Sequence, residues 1–505
     1  MKAGPTPTGA KAPVISASEF IAEIVDPGSF VSWDSPPRHT GHADEYSAAL
    51  ESARRRSGLD EAVLTGIGAV AGRAVVIIAG EFAFLAGSVG VATASRIIEA
   101  LRRATAEGLP VLASPSSGGT RMQEGTPAFL TMALIASAVQ SHKSAGHPYL
   151  VYLRHPTTGG AMASWGSLGH VTFAQPGALL GFLGPRVYES LHGKPFPSGV
   201  QTAENLARHG VVDAVVPLEE FRAVLADSLL LPHPGTIHRG ACPVEPGALR
   251  GIFTARPMAA TDDKAWDAVL RSRNMNRPGL RELLSEAAHD VQVLHSGPVT
   301  VALASFGSVR CVVVGQDRRI QNAGRMIGPQ ELATARRGML RAAKLGLPLL
   351  TVIDTLGAEL SVEAEQGGLA REIARCLALL PIVDVPKLSF IMGEGTGGAA
   401  IALLPADRIL CARNAWLAPL APEGASAILH RDTSRAPELA QSLHITADDL
   451  VDCGVVSMVV AEQPDAAAEP ADFCRRAGRL IEQNLLDLTE LRPHNQTGVS
   501  AVGHS

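Results

Sequence analysis

The chain has 505 residues, of which 46% are hydrophobic and 18% are charged, and its formal net charge at pH 7 is −5. This composition is typical of a globular protein with ample apolar material for packed cores, and it lacks the strongly basic balance expected of a nucleic-acid-binding protein. The six cysteines are scattered without a C-x-x-C pair, which excludes a disulfide framework and a zinc ribbon and favours a reducing compartment.

The chain is predicted to be divided into two domains of similar length. Residues 1–25 lack the apolar segment of a secretory signal, so we expect a flexible N-terminal arm on a cytoplasmic protein. Residues 232–263 are rich in Pro and Gly without a sustained hydrophobic period, which is typical of a linker. The linker separates an N-terminal domain, 26–231, from a C-terminal domain, 264–492, and a flexible tail is expected at 493–505.

Both domains are predicted to begin with the same strand and helix. A short β-branched apolar run occurs at 72–80 and again at 308–316, as in buried strands. Each is followed by a segment with apolar residues at helical spacing, which ends at a glycine suited to the left-handed conformation. A proline stands two residues after each glycine, and Pro110 and Pro348 differ by 238 positions (348 minus 110).

Each domain then continues with a second strand, a second helix and a third strand. The second strands are VLASPSS and LLTVIDT, and the third lie in PYLVYLRHPTTGGA and PKLSFIMGEGTGGA. Strands that alternate with helices in this way pair in parallel through right-handed crossovers. The sequence therefore predicts two α/β domains related by duplication.

The third strand of each domain runs into a Gly-Gly-Ala turn that opens a helix, at 159–161 and at 397–399. The first amides of a helix lack intrahelical partners, and glycines let another molecule approach them closely. Such a turn can hold an anion, or a carbonyl oxygen that becomes negative during a reaction. Two copies predict two oxyanion sites, which can support enolate chemistry without an acidic or basic side chain.

These glycine-rich turns also have other interpretations. Gly393, Gly395 and Gly398 match the dinucleotide fingerprint G-x-G-x-x-G, but the first copy keeps only the Gly-Gly-Ala portion and no acidic residue follows at the expected spacing. Glycines that merely allow close packing of helix and strand are an alternative. His155 and His170 lie near the first turn, where a hydrogen-bonded structural histidine is the more common role.

Longer segments of the sequence resemble a known family. Residues 116–126 and 156–170 closely resemble the carboxyltransferase β subunit of bacterial acetyl-CoA carboxylase, and residues 353–377 and 421–429 resemble its α subunit. The matching segments run in order from about residue 26 to residue 462. The chain therefore resembles the fused β–α, single-chain carboxyltransferase of actinobacterial acyl-CoA carboxylases.

This resemblance implies a crotonase-like (ClpP/crotonase) fold, a β-β-α superhelix, in each half. It implies that the amides of Gly159 and Gly160 bind the thioester oxygen of an acyl-CoA, and that those of Gly398 and Ala399 bind the ureido oxygen of biotin. Ala161 and Gly397 complete the two turns and are candidate substrate contacts. The active site is expected where the N-terminal half of one protomer faces the C-terminal half of another.

The resemblance also implies the reaction and the partners. The carboxyl group of carboxybiotin moves to the α-carbon of acetyl-CoA or another short acyl-CoA, with a biotin nitrogen taking the α-proton. Because the chain has no A-M-K-M attachment motif and no ATP-binding loop, the biotin is expected on a separate biotin carboxylase or biotin carboxyl carrier protein subunit. No metal, nucleic acid or membrane partner is expected. The family implies a homo-oligomer, at least a dimer, and often builds hexamers.

The loop at 116–126 supplies further candidates. Gly118 and Gly119 are predicted to offer amides near the thioester or the carboxylate. Arg121 either faces the substrate or pairs with Glu124 inside the loop, and the pairing is favoured.

The chain departs from the family pattern at several positions. Ser116 replaces the aspartate with which the family's loop begins, and its counterpart across the duplication, Asp354, is as suited to capping a turn as to touching a ligand. Ile401 occupies the place of an aspartate that helps to set acyl length, and the zinc ribbon of the β subunit is absent. A malonyl-thioester or malonate decarboxylase of the same fold, and a scaffold subunit without chemistry, are the competing hypotheses.

Overall fold

The computed structural model describes residues 12–37, 44–184, 188–189, 193–230, 249, 252 and 264–491. These residues form two lobes, called here the N lobe (12–230) and the C lobe (264–491). In the N lobe the strands are β1 (Val31–Ser32), β2 (Val63–Val70), β3 (Arg73–Gly80), β4 (Val111–Ser114), β5 (Tyr149–Leu153), β6 (Thr157–Thr158), β7 (Val171–Ala174), β8 (Leu180–Gly181) and β9 (Ala214–Val215). Its helices are α1 (Ala17–Ile24), α2 (Asp44–Ser57), α3 (Val91–Glu107), α4 (Gly125–Ser144), α5 (Gly159–Met162), α6 (Ala203–Arg208) and α7 (Leu218–Ser228).

The C lobe has the same kinds of element. Its strands are β10 (His289–His295), β11 (Val299–Phe306), β12 (Val309–Gln316), β13 (Leu349–Thr355), β14 (Lys387–Thr396), β15 (Arg408–Ala412), β16 (Trp416–Ala418) and β17 (Met458–Val460). Its helices are α8 (Lys264–Ser272), α9 (Leu280–Ala287), α10 (Arg318–Asn322), α11 (Pro329–Leu345), α12 (Val362–Gln366), α13 (Leu369–Leu379), α14 (Gly397–Ile401), α15 (Pro422–His430), α16 (Ala436–Ser442), α17 (Ala447–Asp452) and α18 (Pro470–Glu490).

Each lobe is built on one mixed sheet. In the N lobe the described strands are ordered β1-β2-β3-β4-β5-β7-β9, and in the C lobe β10-β11-β12-β13-β14-β15-β17, with β16 also paired to β14. The first three strands of each sheet pair antiparallel, and the following ones pair in parallel. The α/β architecture and the parallel strand–helix–strand units predicted from the sequence are confirmed.

The duplication is also confirmed at the level of single elements. Helices α3 and α11 begin 238 positions apart (329 minus 91), and both end at a glycine in the left-handed region, Gly108 with φ of 68° and Gly346 with φ of 64°. Strands β5 and β14 also begin 238 positions apart (387 minus 149). The two Gly-Gly-Ala turns therefore open equivalent helices, α5 and α14.

Two features of the sheets were not predicted. The hairpins β2–β3 and β11–β12 add antiparallel strands in front of the parallel units. The third strand runs unbroken from Lys387 to Thr396 in the C lobe, whereas in the N lobe it is divided into β5 and β6. Pro156, which has no N–H to donate to a sheet, lies in that interruption.

The structure differs from the prediction of a flexible arm over residues 12–25. Helix α1 begins at a capping box formed by Ser16 and Glu19, and it buries Phe20, Ile21 and Ile24 against the N-lobe sheet. Its apolar residues recur at i, i+1 and i+4, a helical spacing that the Pro-rich residues before them obscured. Most of the predicted linker, 232–263, and the predicted tail, 493–505, lie outside the described residues. Leu249 and Ile252, which belong to that linker, are buried.

The two lobes pack through reciprocal contacts. At the start of α4, the Thr126 hydroxyl lies 3.0 Å from the Leu417 carbonyl oxygen in β16 and 2.9 Å from that of Leu443. At the end of α12, Glu365 accepts hydrogen bonds from the N–H groups just after β8, which is the N-lobe counterpart of β16. Helices α4 and α13 pack on each other between these contacts. The lobes therefore share one continuous core.

We expect Phe20→Ala to lower the free energy of unfolding by about 3–5 kcal/mol, because the ring is fully buried and packs on Tyr152 and Phe221. Urea unfolding of the full chain measures the effect. Val14→Ala is the control, since Val14 is 49% exposed and precedes the helix. Equal stability of the Phe20 variant and the wild type would show that this segment is not part of the lobe.

Candidate active site

The first Gly-Gly-Ala turn leaves β6 with Gly159 in the left-handed region, at φ of 60°. The Gly159 N–H donates to the carbonyl oxygen of Phe182 at 3.0 Å. The Gly160 N–H has no acceptor among the described residues. The prediction that both amides are open to a substrate is therefore wrong for Gly159, since the strand after β8 already uses its donor. The Gly160 N–H remains available as a hydrogen-bond donor.

The glycine loop before α4 packs directly on this turn. Gly119 has φ of 112°, and a Cβ built on it would lie 3.3 Å from the Gly160 nitrogen and 3.4 Å from the Gly159 Cα. Its N–H donates to the Ser117 hydroxyl at 3.0 Å, and the Gly118 N–H donates to the Ala86 carbonyl at 2.8 Å. Neither amide is therefore a free donor, contrary to the prediction. These glycines contribute by allowing the main chain of the loop to pack directly against the main chain of the turn.

A strap of three residues with positive φ supports that loop. Leu85, Ala86 and Gly87 have φ of 45°, 56° and 64°, and two of them carry side chains that disfavour this region. A Cβ built on Gly87 would lie 2.1 Å from the Ser116 carbonyl oxygen. Strained backbone conformations of this kind persist where the surrounding contacts enforce them, and they cluster at functional sites. The segment FLAGSVG carries no periodic signal, so sequence reasoning did not identify this role.

The second Gly-Gly-Ala turn is the C-lobe counterpart and is more enclosed. Gly397 has φ of 62°, and the residues of α14 are all buried in the single chain. The N–H groups of Gly398 and Ala399 have no acceptor in the described part of the chain. The Gln316 side chain, at the end of β12, donates to the Ala399 carbonyl at 2.7 Å and so fixes the turn. Gln316 was not predicted, because it is distant in sequence.

The loop beside the second turn repeats the loop beside the first. The Gly357 N–H donates to the Thr355 hydroxyl at 3.1 Å, just as Gly119 uses Ser117. Both pairs are 238 positions apart (357 minus 119 and 355 minus 117). The duplication therefore includes the loop that packs on each turn, as well as the turn itself.

Two buried acceptors precede the second turn. Glu394 is 2% exposed and Thr396 is 5% exposed, and they point to the same side of β14 because strand residues alternate. The Glu394 Oε2 and the Thr396 Oγ1 have no hydrogen-bond partner among the described residues. Arg273 pairs with the other Glu394 oxygen at 2.8 Å, while burial raises the pKa of Glu394. Unpartnered buried acceptors next to open amides indicate a polar ligand with both donor and acceptor groups.

Phe182 contacts both turns. Its carbonyl oxygen accepts the Gly159 N–H, and its ring tip, Cζ, lies 2.7 Å from the position of a Cβ built on Gly398. Glu365 of the C lobe accepts from the Phe182 N–H at 3.1 Å and from the Leu183 N–H at 2.8 Å. The turns of one chain thus approach each other across the lobe interface, with Phe182 between them. This proximity is a tertiary feature that no spacing in the sequence predicts.

Arg121 is fully buried and belongs to a charge network. Its guanidinium lies 2.6 Å from Glu61 and 3.3 Å from Glu124. Burial raises the pKa of Glu61, but Arg121 outweighs burial and holds this pKa below the ordinary value of a glutamate. Of the two alternatives for Arg121, the structure shows the pairing with Glu124. Glu61 is the closer partner, and sequence reasoning missed it because it lies 60 positions upstream (121 minus 61).

The remaining candidates have structural roles or are enclosed. His155 Nδ1 accepts from the Leu179 N–H and His170 Nδ1 accepts from the Tyr149 N–H, both at 3.0 Å. Asp354 pairs with Arg318 at 3.2 Å and accepts the Glu394 N–H at 3.1 Å, while burial raises its pKa. Ala161 and Ile401 are fully buried.

In the described residues, no group of His, Cys, Asp and Glu is arranged to hold a metal ion, and no helix is long and apolar enough to cross a membrane.

Comparison with protein families matches both lobes. Residues 15–234 match the carboxyl transferase domain, and residues 259–498 match the acetyl co-enzyme A carboxylase carboxyltransferase-like family. A relative from Mycobacterium tuberculosis, the probable biotin-dependent acyl-coenzyme A carboxylase beta3 subunit, is 53% identical over 92% of this chain and 93% of its own length. The chain belongs to the carboxyltransferase family of biotin-dependent acyl-CoA carboxylases. The resemblance inferred from the motifs is confirmed.

A more distant relative in sequence agrees with this family. The acetyl-coenzyme A carboxylase carboxyl transferase subunits beta/alpha of Saccharopolyspora erythraea are 37% identical over 93% of this chain and 85% of that protein. Among solved structures, transcarboxylase 12S with methylmalonyl-coenzyme A bound is 20% identical, covers 96% of this chain and 92% of that chain, and has a TM-score of 0.38. The predicted fold class, two duplicated crotonase-like domains, and the predicted enzyme class, the carboxyltransferase component, are confirmed by the family match and by the two α/β lobes.

We expect Thr126→Val to destabilise the protein and Thr396→Val not to destabilise it. Removing the unpartnered Thr396 hydroxyl is expected to leave the free energy of unfolding unchanged or raise it by up to about 1 kcal/mol. Removing the Thr126 hydroxyl, which joins the lobes, is expected to lower it by about 1–2 kcal/mol. Urea unfolding of both variants measures the difference. A loss of stability in Thr396→Val would show that its hydroxyl has a protein partner.

We expect Arg121→Met to lower the free energy of unfolding by about 3–5 kcal/mol, because it removes the guanidinium that offsets the buried negative charge of Glu61. A buried carboxyl that has lost its cation has a raised pKa, so the deficit is expected to shrink as the pH is lowered and Glu61 takes up a proton. Unfolding curves at several pH values measure this. Arg475→Met, which breaks an exposed pair with Asp472, is the control. Unchanged stability with a raised KM would instead make Arg121 a substrate contact.

Proposed function

We propose that this protein transfers a carboxyl group from carboxybiotin to the α-carbon of a short acyl-CoA, using one Gly-Gly-Ala turn for each of the two carbonyl oxygens. The observation that carries the proposal is that equivalent turns of the two lobes hold main-chain donors without an acceptor among the described residues, the Gly160 N–H in the N lobe and the Gly398 and Ala399 N–H groups in the C lobe. A transfer between two carbonyl compounds generates negative charge on two oxygens in turn. Two sets of backbone donors, one in each lobe, suit that requirement.

The first turn is proposed to hold the acyl thioester. The open Gly160 N–H, followed by that of Ala161 at the start of α5, donates to the thioester oxygen as it takes up charge. Gly159 contributes through its positive φ and its bond to Phe182, which set the direction of the next amides. Gly118 and Gly119 contribute by letting the neighbouring loop lie against the turn.

The second turn is proposed to hold the ureido group of biotin, and its residues fit that group. The open amides of Gly398 and Ala399 suit the ureido oxygen, and the unpartnered oxygens of Glu394 and Thr396 suit a ring N–H. When bound, carboxybiotin supplies the carboxyl group and a basic nitrogen for the α-proton. The chain's own residues then position the acyl group, stabilise charge and exclude water, and no side chain has to act as a base.

The proposal extends to the partners. A separate biotin carboxylase or biotin carboxyl carrier protein subunit is proposed to deliver the carboxybiotin, because the sequence contains no A-M-K-M attachment motif. A homo-oligomer of at least two protomers, as the family implies, is also proposed. Acetyl-CoA and propionyl-CoA are the proposed acyl substrates.

The reverse reaction tests the proposal most directly. Purified full-length protein is incubated with malonyl-CoA or methylmalonyl-CoA, with and without a soluble biotin derivative, and the loss of the carboxylated thioester is followed. Biotin-dependent consumption is expected, because the second turn needs a ureido acceptor. Carbon dioxide release at the same rate with and without biotin would instead identify a decarboxylase, and no turnover under either condition would end the proposal.

We expect Gly160→Ala and Gly398→Ala each to lower kcat/KM about a hundredfold, the usual effect of displacing one oxyanion donor. The new methyl group on residue 160 would stand 2.7 Å from the Thr120 Oγ1, and the one on residue 398 would stand 2.6 Å from the Ile373 Cδ1. The reverse assay measures both variants. Gly297→Ala, whose nearest contact is 3.4 Å away, is the control and is expected to stay near wild type. Wild-type rates in both turn variants would contradict the assignment.

A further inference from the structure

We propose that Glu365 is a positioning residue for the open Gly160 donor, which it holds in place through the peptide group between Phe182 and Leu183. This inference rests on the proposed carboxyl transfer and adds to it a residue from the other lobe. Glu365 lies in α12 of the C lobe, whereas the first turn belongs to the N lobe. Because only the first turn is involved, the effect is the same whichever protomer supplies the second turn.

The peptide group between Phe182 and Leu183 is hydrogen-bonded on both sides. Its carbonyl, that of Phe182, accepts the Gly159 N–H at 3.0 Å. Its N–H, that of Leu183, donates to the Glu365 Oε1 at 2.8 Å. The N–H and the C=O of a planar trans peptide are held in one plane and point in opposite directions, so fixing one of them fixes the other. The carboxylate of one lobe therefore sets the direction of the acceptor to which the first turn of the other lobe is bonded.

Glu365 holds the neighbouring main chain as well. Its Oε2 accepts the Phe182 N–H at 3.1 Å, and its Oε1 also accepts from the Gln201 side-chain amide at 3.1 Å. That amide donates to the Leu183 carbonyl at 2.7 Å. A Cβ built on Gly181 would lie 2.9 Å from the Glu365 Oε2, so the carboxylate lies directly against the main chain there. The segment that carries the Phe182 carbonyl is thus bound by a single side chain of the C lobe.

The contacts of Glu365 match an ionised carboxylate. The residue is 3% exposed, and burial raises its pKa, whereas the hydrogen bonds from Leu183, Phe182 and Gln201 act in the opposite direction. All three of these groups are N–H donors, and an ionised carboxylate only accepts. Hydrogen bonds to an ionised acceptor are also stronger than those between neutral groups. A neutral amide in the same place has one oxygen and cannot replace this arrangement.

The open Gly160 N–H directly follows two anchored amides. The Thr158 N–H donates to the Ser117 carbonyl at 2.8 Å, and the Gly159 N–H donates to the Phe182 carbonyl. A shift of the Phe182 carbonyl would weaken the second anchor and turn the next amide away from the thioester oxygen. A displacement of about 1 Å at a reacting group can cost about a hundredfold in rate. Glu365 is therefore expected to affect turnover without contacting the substrate.

Glu365→Gln tests the proposal in the biotin-dependent reverse assay with malonyl-CoA. The new amide nitrogen would face one of the donors that now bind the carboxylate, so kcat is expected to fall at least about tenfold. The KM for malonyl-CoA is expected to stay within about threefold of wild type, because an oxyanion donor acts mainly after charge has developed. A wild-type kcat in this variant overturns the proposal.

A double-mutant cycle with Gly160→Ala separates positioning from a loss of folded protein. If Glu365 acts through the Gly160 donor, Glu365→Gln is expected to lower kcat by less than about threefold in the Gly160→Ala background, because that donor is already displaced. A purely structural effect would lower the amount of active enzyme by the same factor in both backgrounds. Equal factors in the two backgrounds therefore overturn the positioning role.

Glu372→Gln is the matched control. Glu372 is also buried, at 7% exposed, and lies in α13, where it pairs with Arg336 and Arg375. This variant is expected to keep the wild-type kcat. A tenfold loss in it would mean that the loss of any buried carboxylate of the C lobe slows turnover, and would overturn the assignment to Glu365.

Glu365→Asp, which keeps the charge on a shorter side chain, takes the place of Glu365→Gln in the same cycle if the glutamine variant does not fold. Failure of both variants to fold would make Glu365 a folding residue and overturn the proposal. If the wild type shows no biotin-dependent turnover of malonyl-CoA, the proposed function fails and this inference fails with it. If the wild type turns over and the cycle gives equal factors, only this inference fails.

Discussion

The main chain of the Gly118–Gly119 loop packs directly against the main chain of the first Gly-Gly-Ala turn, and the surrounding structure depends on that close approach. The Gly118–Gly119 loop lies so near the Gly159–Gly160 turn that a Cβ on Gly119 would stand 3.3 Å from the Gly160 nitrogen. A methyl group at that separation would be tightly packed, and the φ of 112° at Gly119 disfavours any side chain there. The left-handed strap at Leu85–Gly87, which would otherwise cost conformational energy, is retained because it supports the loop from behind. The position of the open Gly160 amide follows from these constraints.

The duplication gives the chain two such turns, and the packing of the lobes brings them together. Thr126, at the start of a helix of the N lobe, contacts the short strand β16 of the C lobe, and Glu365, at the end of a helix of the C lobe, contacts the residues just after the short strand β8 of the N lobe. This reciprocity places Phe182 of one lobe on Gly398 of the other. An interface made in this way is part of the core, so substitutions there are expected to affect stability.

Charged residues near the site stabilise loops, whereas the open hydrogen-bond donors belong to the main chain. Arg121 is enclosed with Glu61, and Arg277 pairs with Glu462 at 2.7 Å in the C lobe; all four side chains are fully buried. Breaking such a pair leaves an uncompensated charge in a poorly solvated place, so the pairs fix the loops that carry them. The histidines near the first turn are likewise bonded to the main chain. This division agrees with a reaction that needs neutral, fixed donors and no side-chain base.

The sequence by itself determined the duplication, the strand and helix order, the two turns and the family. These follow from local periodicity, from glycines at helix ends, and from a constant spacing of 238 residues between equivalent positions such as Pro110 and Pro348. The sequence also favoured the pairing of Arg121 with Glu124, which the structure shows. It failed at residues 17–24, where a short amphipathic helix follows a Pro-rich start.

Only the tertiary structure decided which amides are open and what stands between the turns. The donors of Gly118, Gly119 and Gly159 are taken up by Ala86, Ser117 and Phe182, and two of these acceptors lie far along the chain from their donors. Glu61, Gln316 and Glu365 reach the site by long-range packing. A hydrogen bond between distant segments has no periodic signature in the sequence, because it depends on how those segments pack against each other in the folded chain.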